Sequence, residues 1–170
     1  MLSYYPVVLV ADVIDVRVES VNAFPPGIDL SAYPTVEGKP AVSSVRGSPI
    51  SIYTLNVVES ITSESPKPGA PATFVNDGGF VSDASGKIER WGFQGDELLE
   101  VRGRYLMFVV PSKNFPNTFV AAPWGKFRIE NGQVIAPEPW SKLGVSMAVV
   151  GDLDKATAKV SAARPSPRAE

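Results

Sequence analysis

Histidine and cysteine are both absent from the 170 residues. Without cysteine the chain has no disulfide framework, no thiolate metal site and no redox dithiol. Without histidine it lacks the commonest general base and the commonest zinc ligand. Ser–His and Cys–His nucleophile systems are excluded by composition, so any enzyme reading must rest on carboxylates, lysine or tyrosine. A long apolar run is missing too. The nearest, residues 7–18, is broken by Asp12, Asp15 and Arg17, short of the roughly 18 residues that mark a membrane helix. Formal net charge is −2, so no broad basic field advertises nucleic acid or anionic lipid. The opening, MLSYYPVVLVADVIDV, has no basic region and no small-residue cleavage site, and does not read as a signal peptide.

What the chain does have is punctuation. Its 16 prolines and 14 glycines cluster between runs of Val, Ile, Tyr and Phe, the pattern of an all-β protein. The first run, 7–21, is long enough for one bent strand or two short ones. Residues 22–48 hold several prolines and glycines without a period and read as a long excursion. Residues 51–61 alternate well, with Tyr53, Leu55 and Val57 on the face to be buried. A short strand over 72–76 ends at Asp77-Gly78-Gly79, and 80–97 form a second variable stretch. In LLEVRGRYLMFVV (98–110), Gly103 is expected to supply a turn, with Arg102 and Arg104 in water at the mouth of a strand. Tyr105–Val110 is then buried on both faces or spans a barrel wall. Strands over 119–122, 126–129 and 133–136 finish the sheet, and Asn131-Gly132 is the strongest short hairpin signal. Asp152 is expected to be the N-cap of an amphipathic helix over 151–163. The expected fold is an OB-like closed antiparallel β-barrel with that helix at its C-terminal end, one domain over 1–163, and a disordered tail over 164–170.

Several short motifs follow one another in a particular order. They are Ala11-Asp12, Tyr53-Thr54 with Val57, Gly78-Gly79, Val101 with Gly103-Arg104-Tyr105-Leu106 and Phe108, and Gly125 with Phe127, Gly132 and Val134. This order resembles a family of uncharacterised bacterial OB-like β-barrel domains, similar in layout to netrin and tissue-inhibitor-of-metalloproteinase modules. The resemblance spans roughly residues 7–163. It implies an OB-like barrel with a terminal helix in an envelope or secreted setting, and brings no catalytic site. Inhibitory members of the eukaryotic group use an N-terminal cysteine to chelate a protease zinc. This chain has Met1 and no cysteine, so that mode of inhibition is not supported.

Candidate chemistry is sparse. Asp12 and Asp15 are spaced so that a regular strand sends them to opposite faces, as solvated charge rather than an acid–base pair. Asp77, Asp83 and Glu89 have too few oxygens at the spacing a calcium loop requires. The glycines around 78–79 and 92–95 lack the lysine and the strand-to-helix context of a phosphate cradle. The aromatics are more informative, because OB barrels bind oligonucleotides or sugars by stacking. Phe24 and Tyr33 lie in the first excursion, and Arg90, Trp91 and Phe93 in the second. Trp124 and Trp140 read as plugs for the barrel ends. The expected function is a non-catalytic binding domain that presents 22–48 and 80–97 to a protein or glycan partner, with no cofactor and no metal. The rivals are an OB-type single-stranded nucleic-acid binder, disfavoured by the acidic balance, a carboxylate enzyme, and a structural envelope component.

Overall fold

The computed structural model describes residues 5–21, 35–36, 39–40, 48–82, 86–91, 98–112, 118–120, 125–135 and 149–163. In chain order the strands are β1 (Val7–Val21), β2 (Thr35–Val36), β3 (Lys39–Pro40), β4 (Ser48–Ser60), β5 (Pro71–Asp77), β6 (Gly79–Ser82) and β7 (Ile88–Trp91). Then come β8 (Arg104–Pro111), β9 (Thr118–Val120), β10 (Lys126–Glu130), β11 (Gln133–Ile135) and β12 (Gly151–Asp152), followed by helix α1 (Leu153–Ala162). Five strands close into a barrel in the order β1-β4-β5-β9-β8, with β8 returning to β1. Four of its ladders are antiparallel, and the β5–β9 ladder is parallel, pairing Phe74 with Phe119.

β1 is a single strand whose bend has a local cause. Two irregularities interrupt its ladder with β4, between Val10 and Ala11 and between Val13 and Asp15. An extra residue in one strand strengthens twist and bends it, as closing a barrel requires. The second irregularity also overturns the expected placement of Asp12 and Asp15. Their cross-strand partners are Asn56 and Thr54, two positions on one face of β4, so the unpaired Ile14 brings both carboxylates to the same side.

The near-continuous apolar runs of β1 and β8 follow from two cores, one on each side of the wall they share. Val7, Leu9, Ala11 and Val13 join Tyr53, Leu55, Val57, Phe74, Tyr105, Met107 and Val109 inside the barrel. The alternate residues Val8, Val10, Leu106 and Phe108 face a second core, built with Phe127, Val134, Ala156 and Val160. Phe108 packs edge-on against both Tyr5 and Phe127, with ring centroids 5.8 Å apart in each case. Strands buried on both faces lose period-2 patterning, so 105–109 reads as one apolar block. β10 and β11 extend the sheet from β8 and carry α1 over this second core. Asp152 caps the helix by accepting from the Lys155 amide at 3.1 Å, and only Ala156 and Val160 are fully buried within it.

The turn before β8 differs from expectation. The left-handed residue is Arg102, at φ 71°, not Gly103. The Gly103 amide donates to the Glu100 carbonyl at 3.0 Å, closing a turn with positive φ at its third residue. Two further bonds tie it to β1: Arg102 N–H to the Val13 carbonyl at 2.8 Å, and Val13 N–H to the Gly103 carbonyl at 2.9 Å. Gly103 is needed for space instead. A Cβ there would lie 2.7 Å from the Tyr105 ring and 2.9 Å from the Glu100 carbonyl oxygen.

Candidate functional site

The most unusual features gather at one end of the barrel. β5 stops at Asp77, Gly78 turns at φ 99°, and the chain continues as β6 in a separate two-stranded sheet with β7. The stretch 80–97 is therefore not uniformly a loop, since Arg90 and Trp91 belong to β7. The base of this hairpin sits close on the barrel: a Cβ at Gly79 would lie 2.9 Å from a Val18 methyl and 3.0 Å from the Ser51 hydroxyl. Gly79 pairs with Trp91 and Phe80 with Arg90. Strand alternation thus puts Phe80, Ile88 and Arg90 on the face opposite to Gly79. Phe80 is 58% exposed and Ile88 69%, and Arg90 is exposed beside them.

Beneath the hairpin, the barrel interior turns polar. Ser51 and Asn76 are cross-strand partners on β4 and β5, and Lys126 on β10 pairs with the interior residue Met107. The Lys126 ammonium donates to Asn76 Oδ1 at 2.9 Å and lies 5.9 Å from the centre of the Phe74 ring. Lys126 and Asn76 are each only 4% exposed. The Ser51 hydroxyl donates to the Gly78 carbonyl at 2.8 Å, and the Asn76 amide donates to the Asp77 carbonyl at 3.2 Å. Two of these bonds tie one element to another: Lys126 joins β10 to β5, and Ser51 holds the bend that launches the hairpin, while the Asn76–Asp77 bond stays within β5. An amide and a ring face both stabilise a buried ammonium. The cluster spends these donors on protein acceptors, an arrangement that fixes the hairpin's take-off.

The same end is plugged by Leu99, buried in the barrel core. Its amide donates to the Tyr53 hydroxyl at 3.2 Å, and the next amide, Glu100, donates to the Tyr105 hydroxyl at 2.9 Å. Two interior tyrosines thus hold the segment that follows 92–97. Outside the wall, Arg104 donates two hydrogen bonds to Asp12, of 2.7 and 2.9 Å, and this hydrogen bonding to the carboxylate raises the Arg104 pKa above the ordinary arginine value. Arg128 reaches both Glu100 and Glu130 at 2.8 Å. Asp12 is therefore engaged by a cation on a partly exposed face.

Of the residues expected to bind, Arg90 is exposed on the hairpin and Trp91 lies in its second strand. Phe24, Tyr33 and Phe93 lie outside the described residues, as do Asp83, Trp124, Trp140 and the tail 164–170. Phe80 and Ile88 were not singled out by the sequence. Their signal, alternation on both sides of a polar five-residue connection, is short and easily taken for loop. Among the described residues no group of three or more acidic side chains could hold a metal ion, and no helix is long and apolar enough to cross a membrane. No family model, curated protein or solved structure matches the chain.

Proposed function

We propose that this chain is a non-catalytic binding module, an OB-type barrel that presents the stretches 22–48 and 80–97, the second of which holds most of the β6–β7 hairpin, to a protein or glycan partner. The barrel order supports the OB-type reading. Numbered along the chain, its strands run 1-2-3-5-4 and return to 1, with the third and fifth parallel, a five-stranded closed arrangement of the kind that carries binding loops. One observation carries the functional reading: Phe80 and Ile88 stand largely in solvent on one face of a hairpin whose base is anchored. A two-stranded hairpin is marginal by itself, and exposed aromatic and aliphatic side chains beside an arginine are the composition of interaction anchors. The aliphatic Ile88 favours a protein over a glycan.

The double variant Phe80→Ser, Ile88→Ser tests this in a pull-down from producing cells. The variant should keep the cooperative unfolding of the parent and lose the partner that the parent captures. Capture unchanged by the variant overturns the proposal. Salt-sensitive retention of single-stranded DNA on a filter, lost with Arg90→Glu, would move the reading to the nucleic-acid rival.

A further inference from the structure

We propose that Asn131 is a conformationally gated site of backbone rearrangement, whose isoaspartyl product unlatches helix α1. Asn131 and Gly132 form the exposed two-residue turn between Glu130 and Gln133, and both are left-handed, at φ 51° and 74°. Gly132 has open space around it, with nothing within 4 Å of a Cβ position. Every other asparagine precedes a residue with a side chain, namely Ala23, Val57, Asp77, Phe115 and Thr118. Asn131 alone offers its side-chain amide to an unhindered following nitrogen.

The step is intramolecular acyl transfer. The Gly132 backbone nitrogen loses its proton to hydroxide and attacks the Asn131 side-chain carbonyl carbon. The bond to the side-chain nitrogen breaks, and ammonia leaves with a proton from water. Water then opens the cyclic imide at either carbonyl, giving aspartate or isoaspartate. Ring closure requires rotation about the Asn131 Cα–C bond, which the paired Glu130 and Gln133 resist while the hairpin is shut. The reaction therefore proceeds from the opened hairpin.

The two products differ in what they do to the fold. Aspartate keeps the backbone, and Asp-Gly makes the same turn. Isoaspartate routes the main chain through the side-chain carbon and lengthens a turn that tolerates only two residues. This turn is also a latch. The Gly132 carbonyl accepts from the Leu153 amide at 2.9 Å, at the first residue of α1. The next residues pair Gln133 with Asp152, the helix N-cap, and Val134 with Gly151. Displacing the Gly132 carbonyl withdraws support from the start of the helix that covers Phe127 and Val134.

The test uses the full chain held at mildly alkaline pH, with and without urea, followed by peptide mapping by mass spectrometry. The amide-to-acid mass gain should concentrate at Asn131 and form faster in urea. The purified isoaspartyl form should melt lower than Asn131→Asp and exchange amide hydrogens faster over 153–163, while Asn131→Asp stays close to the parent. Absence of conversion at Asn131, equal rates with and without urea, or helix exchange in the isoaspartyl form matching Asn131→Asp would each overturn the proposal.

Discussion

The Tyr105 hydroxyl reaches back over Gly103 and accepts the Glu100 amide proton at 2.9 Å. One side chain at the start of β8 thus holds the turn that precedes its own strand. Tyr105→Phe removes that acceptor and should lower unfolding free energy by about 1 kcal/mol. Gly103→Ala should cost more, because the added methyl meets the ring and the Glu100 carbonyl. Urea denaturation of both variants checks the order.

Arg102 carries a left-handed backbone that a β-carbon disfavours by about 1–2 kcal/mol. Arg102→Gly should therefore raise the denaturation midpoint, despite removing an exposed charge. Arg102→Val should lower it, since β-branched residues fit positive φ worst. Equal midpoints for the two variants would refute this account of the turn.

The buried bond between Lys126 and Asn76 predicts a non-additive pair. Asn76→Leu removes the amide acceptor of a buried ammonium and should cost about 1.5–3 kcal/mol. Combining it with Lys126→Met removes the charge as well and should recover part of that loss. A double-mutant cycle in urea measures the coupling.

Phe108 fills the second core between two rings. Phe108→Ala should cost about 3–5 kcal/mol, whereas Val110→Ala, two residues on and exposed, should stay within about 0.5 kcal/mol. Thermal unfolding of the two variants compares the buried and exposed ends of β8.

The Arg104–Asp12 pair is partly exposed, so Asp12→Asn should cost at most about 1 kcal/mol, and less in high salt. The hydrogen bond to Asp12 raises the Arg104 pKa. Its stabilisation is present in full below the ordinary arginine range and is lost only in strong alkali. With no histidine in the chain, stability should be nearly flat from about pH 6 to 8, which melting curves across that range check.

Local chemistry alone determined the strands with one buried face and the ends of the helix. Tyr53, Leu55 and Val57 alternate because only one side of β4 meets the core there, Asn131-Gly132 makes its turn from its own backbone preferences, and Asp152 caps the Lys155 amide in the first turn of α1. Tertiary structure decided what depends on neighbours distant in the chain. Residues 105–109 are apolar throughout because a barrel core and a second core lie on either side of them, and a block of that kind carries no record of which face meets which. The bulge at Ile14, the left-handed Arg102 and the hairpin over 79–91 share this origin. Barrel closure fixes the first. Hydrogen bonds to Val13 hold the second. The third takes off from a bend that the Ser51 hydroxyl secures from another strand, so Phe80 and Ile88 become a common exposed face only once the barrel has formed.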